Sequence, residues 1–551
     1  MVKRGRVTVA SRFGLSWSVN GPINKTMRPH VCVSRKTRPM QKPTAFAVAL
    51  AFLILASAPP AVAKDFFLTI GGGDEPTANQ ASLERNVLFL QRLLKEQNLD
   101  QSRHDIYFAD GHDTGKDLQV KDLGLVPQAN QLMAEFFGTE DDLGVYYRDH
   151  AVPGVRAATT PKQIRRWFHE TSRKMKQGDR LILYVTAHGE SSDNDDEPYD
   201  TSICLWNSQK ISVTQVVRLL DRLPNDISVV AVMVQCHAGG FARFIYNEGN
   251  PDKGLSKQMR TGFFATMHDR IAAGCTSDID EATYVEYSTY FWEALAGHTR
   301  AGEPIVVPDY DGDGVVSFDE AHAYTILNAD TVDMPIKTSG EFLGIESLFA
   351  NDTHPELQSN NASYTSVLEL ATPTQRAVLE GLSKQLDLTG SNRIETARRM
   401  SQTRQWRRGR FRRRRFNKPE IRLREEIASD LKQRWPALAN VLNPGAVELM
   451  TARSNAFVEA IERHPSYDQY RKELNKAAAR PDPHKQRVKH ERFVRTAECV
   501  ILAENLRRLG DEEALAQYRT IVAAERGSLH GRAPATTNTA AAQSGHGTVH
   551  K

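Results

Sequence analysis

The feature that most constrains this chain is an alternation of two patterns between residues 64 and 350. Apolar stretches of strand length occur at 65–70, 104–109, 180–186, 227–234 and 262–267. Segments with helical spacing of apolar residues lie between and after them, at 81–94, 160–176, 213–223 and 287–295. Continuous apolar strands that alternate with helices are typical of a parallel sheet covered on both faces. We therefore predict an α/β domain over residues 64–350, with a predominantly parallel sheet flanked by helices.

The pattern changes after residue 350. Helical periodicity continues at 365–389, 420–436, 446–477 and 484–526, and strand-like runs of the earlier quality are missing. Residues 527–551 are mainly Ala, Thr, Ser, Gly and His in low-complexity order. We predict an all-helical domain over residues 351–526 and a disordered tail over 527–551.

The first 63 residues read as an export signal. They contain ten Lys or Arg and no acidic residue, an apolar run at 45–56, and small residues up to Ala63. This arrangement is typical of a secretory signal peptide with an N-terminal extension. The alternative is a membrane anchor, but twelve apolar residues are too few to cross about 30 Å of hydrocarbon. We expect no transmembrane anchor and a mature chain that begins near Lys64, in the periplasm or outside the cell.

Charge is distributed unevenly along the 551 residues. The net charge of +4 combines +10 in residues 1–63, −18 in residues 64–350 and +12 in residues 351–551. Five cysteines are too few for a disulfide scaffold. Four of them follow the signal, and an oxidising compartment would allow them to pair, although spacing alone assigns no pairs.

Two reactive side chains follow neighbouring strand candidates. His188 comes directly after the third strand in Thr186-Ala-His-Gly189, and Cys236 follows the fourth in Val234-Gln-Cys-His-Ala-Gly-Gly240. In an open parallel sheet, ligands bind beyond the carboxyl ends of the strands. A thiol beside an imidazole at that edge is the arrangement that covalent thiol catalysis requires. The alternative for each residue alone is a structural role, and the pairing favours catalysis.

Glycines next to both side chains suggest room for a substrate. Gly189 follows the histidine, and Gly239 and Gly240 follow the cysteine, so a substrate backbone could approach closely. The backbone amides of Gly189 and Cys236 are candidates for an oxyanion hole. No comparable sequence context surrounds His237 or the other three cysteines. We expect these residues to be structural or spare: His237, Cys204, Cys275 and Cys499.

Tyr184-Val-Thr-Ala-His-Gly189 and Gln235-Cys-His-Ala-Gly-Gly240 resemble the motifs of the caspase, legumain and gingipain clan of cysteine peptidases. The 48-residue separation of His188 and Cys236 agrees with the caspase spacing of about 50. The resemblance covers roughly residues 65–330. It implies a caspase-like, predominantly parallel sheet flanked by helices, with His188 as acid and base and Cys236 as nucleophile. It departs from caspases, which have an alanine between Gln and Cys, and from legumains, which have Glu-Ala-Cys. The acidic insert at 191–197 either favours a basic substrate residue or is simply a solvated loop.

A second motif predicts a metal site. Residues 309–320 fit the twelve-position calcium loop, with glycine at position 6. The predicted ligands are Asp309, Asp311, Asp313, the Val315 carbonyl, Ser317 and Glu320. A helix is expected after the loop but not before it, which suits structural Ca²⁺ at extracellular concentrations. The alternative is an Asp-rich turn without metal.

A third feature is a basic run. Residues 404–416 contain eight arginines interleaved with one tryptophan and two phenylalanines. Such a run from Arg404 to Phe416 suits contact with an anionic polymer or an acidic membrane surface, and equally an exposed loop or a processing site.

Two hypotheses follow for function. The first is an exported cysteine endopeptidase that hydrolyses peptide bonds through the Cys236–His188 dyad, with structural Ca²⁺ and no cofactor in the chemical step. The alternative is a calcium-stabilised, non-catalytic protein whose basic helical domain captures anionic polymers or a membrane surface.

Overall fold

The structure is a computed structural model that describes residues 63–402 and 418–531. The described residues form one compact unit. The predicted export signal, the arginine run at 404–416 and the chain after residue 531 lie outside the described residues.

A seven-stranded sheet occupies the centre of the fold, in the order β12-β11-β10-β6-β1-β2-β5. Its strands are β1 (Asp65–Gly72), β2 (Arg103–Phe108), β5 (Val155–Ala157), β6 (Arg180–Ala187), β10 (Ser228–Met233), β11 (Met259–Phe264) and β12 (Ile336–Lys337). All neighbouring pairs are parallel except β11 and β12. All eight residues of β6 are buried, and the strand is apolar except for Arg180 and Thr186.

Five short strands lie outside this sheet. β3 (Leu118–Lys121) and β4 (Val145–Arg148) form an antiparallel pair, and β7 (Gly189–Glu190), β8 (Ser202–Leu205) and β9 (Gln209–Ser212) form a three-stranded meander. The meander leaves the central sheet directly after β6, so it lies beside the end of that strand.

Helices cover both faces of the sheet. Those in the first part of the chain are α1 (Ala81–Glu96), α2 (Gln128–Phe137), α3 (Pro161–Thr171), α4 (Val213–Leu220), α5 (Tyr287–Ala296), α6 (Phe318–Asn328) and α7 (Thr338–Glu346). Trp167 of α3 and Val217 of α4 are buried on one face, and Leu93 of α1 and Trp292 of α5 on the other. The α/β prediction is confirmed. Thr160 caps α3 by accepting a hydrogen bond from the Gln163 amide, as a Thr-Pro helix start predicts.

The C-terminal region is helical, as predicted. Its helices are α8 (Tyr364–Leu370), α9 (Pro373–Gln385), α10 (Arg393–Gln402), α11 (Pro419–Arg434), α12 (Pro444–Met450), α13 (Ser454–Glu462), α14 (Tyr467–Ala478), α15 (Pro483–Leu509) and α16 (Glu512–Glu525). Leu502 and Leu506 of α15 and Ile521 of α16 are buried in the same apolar cluster as β10. The helical region therefore completes the core of the sheet.

Residues 527–531 are ordered against the sheet, although the sequence predicts them to be part of a disordered tail. Leu529 is 3% exposed. Arg180 donates hydrogen bonds to the carbonyl oxygens of Ser528, at 2.6 Å, and Leu529, at 2.9 Å. The low-complexity pattern was misleading here because a buried arginine supplies the partners for this backbone. Among the described residues, no helix combines the length and the apolar character needed to span a bilayer.

Candidate active site

His188 and Cys236 lie at the same edge of the sheet because they follow adjacent parallel strands. β6 ends at Ala187, one residue before His188, and β10 ends three residues before Cys236. The two strands stay paired to their ends, since Met233 lies opposite Val185 and the Val234 amide donates to the Val185 carbonyl at 3.1 Å. The structure thus places both residues at the carboxyl edge.

The two motifs contact each other through their backbones. A Cβ atom on Gly189 would overlap the Cys236 carbonyl oxygen and would lie 2.7 Å from Cγ of Gln235. A Cβ on Gly239 would lie 2.7 Å from the His268 backbone nitrogen, and one on Gly240 would overlap Thr201. The expectation that these glycines leave room for a substrate is therefore wrong. They leave room for the protein's own chain, which packs the histidine motif directly against the cysteine motif.

The protonation of His188 follows from its hydrogen bond. Nε2 lies 2.9 Å from the carbonyl oxygen of Ala78, and a carbonyl oxygen can only accept. Nε2 therefore carries a proton, and Nδ1 is the basic nitrogen of the neutral ring. Nδ1 lies 3.8 Å from Sγ of Cys275.

Cys275 is the residue of this site that the sequence patterns missed. It is exposed and lies in the loop that leaves the sheet after β11, at the same edge as His188 and Cys236. Its position a few residues after a predicted strand was the available signal. The side chain therefore lies beside the imidazole.

The thiol of Cys236 is half-buried and held by the same loop. The Ala272 amide donates a hydrogen bond to its Sγ at 3.3 Å. Burial raises the pKa of the Cys236 thiol, and the hydrogen bond with the Ala272 backbone acts in the opposite direction. The resting thiol is consequently neutral at pH 7 and needs a base before it can act as a nucleophile.

The two residues that carry the predicted oxyanion amides contact each other. Gly189 is in β7, opposite Ile203 of β8, and its Cα lies against the Cys236 carbonyl. The backbone amide of Cys236 interacts with its own thiol sulfur, and this interaction lowers the pKa of the thiol.

His237 and Cys204, which were predicted to be structural, are held by hydrogen bonds or by burial. The His237 amide donates to the Arg270 carbonyl, and His237 Nδ1 donates to the His268 carbonyl, both at 2.8 Å. Cys204 is buried, and burial raises the pKa of its thiol to about 12. The four cysteines in the described part of the chain are all free thiols.

The predicted calcium loop brings three carboxylates together. Single oxygen atoms of Asp309, Asp311 and Asp313 lie within 4.8 Å of one another. Backbone amides of the loop point at them, for example from Gly314 to Asp309 at 3.0 Å. Val315, whose carbonyl is a predicted ligand, is exposed in the same loop.

Glu320 and Ser317, the remaining predicted ligands, form a capping box at the start of α6. The Glu320 carboxylate also accepts hydrogen bonds from the amides of Tyr310, at 2.7 Å, and Asp311, at 3.2 Å. It therefore faces the beginning of the loop, although it is not part of the three-carboxylate cluster. Hard oxygen donors of this kind fit Ca²⁺, provided that Glu320 turns towards the three aspartates.

Comparisons with known proteins assign no family. No family model matches the chain, and no curated protein matches it. Among solved structures, the chain is similar to protein GSU0716 from Geobacter sulfurreducens, with 10% identity and a TM-score of 0.29. The match covers 50% of this chain and 92% of the other. A similarity this low supports no inference about fold family or function.

Proposed function

We propose that the protein is an exported cysteine endopeptidase of the kind that its two motifs resemble. The observation that carries the proposal is the contact between the motifs at the carboxyl edge of β6 and β10. This contact brings a basic imidazole nitrogen, a thiol and the Cys236 backbone to one edge of the sheet.

In the proposed mechanism, His188 Nδ1 accepts the proton of the Cys236 thiol. The thiolate attacks the scissile carbonyl carbon, and the resulting oxyanion accepts hydrogen bonds from the amides of Cys236 and Gly189. His188 then gives its proton to the leaving amine as the C–N bond breaks. Water, deprotonated by His188, hydrolyses the thioester and restores the thiol.

Substitution of single cysteines tests the assignment, because Cys275 is also close to His188. We expect Cys236→Ala to abolish peptide cleavage and Cys275→Ala to retain it. Cys499→Ala, in the helical region, is the matched control and should leave cleavage unchanged. Cleavage of a fluorogenic peptide library by the purified chain is the measurement, with a thiol-directed electrophile and mass spectrometry to locate the labelled residue. Retained activity in Cys236→Ala would show that the assignment is wrong.

We also propose that Ca²⁺ binds the 309–320 loop as a structural ion. The supporting observation is the cluster of three carboxylates followed by a capped exit helix, α6. The residues that would hold the ion are Asp309, Asp311, Asp313, Ser317 and Glu320, with the Val315 carbonyl. The ion would stabilise the loop and take no part in the chemical step.

The alternative is a non-catalytic protein that captures an anionic polymer or a membrane surface. The net charge of +12 in residues 351–551 and the raised pKa of the Cys236 thiol favour it. Retention of the full chain on heparin, together with no cleavage and no labelling of Cys236, would support the alternative over the peptidase.

A further inference from the structure

The loop between β11 and the Glu281–Thr283 turn contacts both candidate catalytic residues. Its Ala272 amide donates to Cys236, and its Cys275 lies next to His188. This segment, residues 268–275, is here called the site loop. Residues that position the site loop therefore also determine which groups lie next to the Cys236 thiol and the His188 imidazole.

One set of contacts to the site loop comes from the cysteine motif itself. His237 donates hydrogen bonds to the carbonyls of His268 and Arg270. These contacts fix the first half of the loop. They leave Ala273, Gly274 and Cys275 without a partner from that motif.

A second set comes from helix α15, more than 200 residues further along the chain. Glu491 accepts a hydrogen bond from Arg270 at 2.5 Å, and the two side chains are 18% and 36% exposed. This ion pair joins the helical region directly to the site loop.

The next residue of the helix, Arg492, does not contact the site loop itself but holds the segment that does. Arg492 is 2% exposed and donates to the carbonyls of Ile326, Ala329, Thr331 and Asp333. It thereby fixes the segment after α6. Asp333 in that segment is fully buried and accepts a hydrogen bond from the Ala273 amide at 2.6 Å.

We infer that Glu491 and Arg492 are positioning residues for the candidate active site, acting through the site loop. The inference rests on the proposed peptidase function. The C-terminal helical region then supplies part of the framework that aligns Cys236 and His188, and it is not an appendage of the catalytic part. Loss of these contacts would allow the site loop to move. The Ala272 amide would then separate from Cys236, and Cys275 would separate from His188.

A charge exchange tests this inference. Arg270→Glu and Glu491→Arg should each lower kcat for peptide cleavage roughly tenfold, the size of effect expected for a coupled pair. The double variant, Arg270→Glu with Glu491→Arg, should recover part of the loss, because it restores the pair with reversed charges but leaves Arg487 without its partner on the helix. Glu498→Arg is the matched control, since it breaks a similar ion pair of the same helix, with Arg398, that does not touch the site loop.

A second measurement does not depend on activity. Hydrogen exchange of the amides in residues 268–275 should become faster in the single variants and should return towards the wild-type rate in the double variant. The inference would be overturned if both single variants left cleavage and exchange unchanged. It would also be overturned if their loss of kcat equalled that of Glu498→Arg. If Cys236→Ala retains cleavage, the peptidase proposal fails instead, and the exchange data still decide whether helix α15 holds the site loop.

Discussion

Gly189→Ala is the substitution that most directly tests how the two motifs meet. An added Cβ would overlap the Cys236 carbonyl oxygen and lie 2.7 Å from Gln235 Cγ and 3.1 Å from the Cys236 carbonyl carbon. Carbon atoms in contact prefer about 3.5–4.0 Å, so the motifs must separate by about 1 Å. Overpacking of this kind costs about 1–3 kcal/mol of the free energy of unfolding. A misplacement of about 1 Å at a catalytic pair lowers the rate roughly 100-fold.

The assay for Gly189→Ala combines urea unfolding with peptide cleavage. The matched control is Gly115→Ala, because a Cβ at Gly115 meets nothing within 4 Å. We expect the control to change the free energy of unfolding by less than about 0.5 kcal/mol and to leave cleavage unchanged. If Gly189→Ala behaved like the control in both measurements, the backbone contact between the motifs would not exist as described.

Two further predictions concern charge. Burial raises the pKa of Asp333 to about 6. The folded protein therefore binds a proton that the unfolded chain releases near pH 4, and stability falls as pH rises from about 4 to 6, by at most about 3 kcal/mol. Asp333→Asn should remove this slope in thermal unfolding measured across that range, and an unchanged slope would contradict the assignment. Ca²⁺ at tenfold excess over its dissociation constant should stabilise the chain by about 1.4 kcal/mol relative to EDTA, and Asp311→Asn should lose that gain. An equal gain in Asp311→Asn would show that the ion binds elsewhere.

The main elements of the sheet were predictable because their signals are local. β6 and β10 are apolar except for Arg180, Thr186 and Ser228, as is typical of buried parallel strands, so both could be located from composition alone. The edge strands were not predictable, since β12 has two residues and is defined only by its pairing with Phe263 and Phe264. A pairing of that kind leaves no periodicity in the sequence.

The part of the candidate site that depends on the main strands was predictable in the same way. His188 and Cys236 follow strong strands, and topology alone brings such residues together. The position of Cys275 depends instead on where the site loop runs, and contacts with Glu491 and Asp333, distant in sequence, fix its path. No pattern near Cys275 records those contacts.

The opposite net charges of residues 64–350 and 351–551 suggest that electrostatic attraction joins the two regions. The ion pairs between them follow that rule only in part. Lys485 and Lys489 of the basic region pair with Asp330, but Arg270 and Lys337 of the acidic region pair with carboxylates of the helical region. The pairs of Asp330 and of Arg270 are partly exposed and contribute only about 0–1 kcal/mol each to the free energy of unfolding. In the buried Lys337–Glu525 pair, the cost of removing both charges from water offsets their attraction. The larger contribution is apolar, because helices α15 and α16 bury leucine and isoleucine side chains against the sheet. Removing the chain after residue 350 would therefore uncover the core of the sheet and release the site loop together.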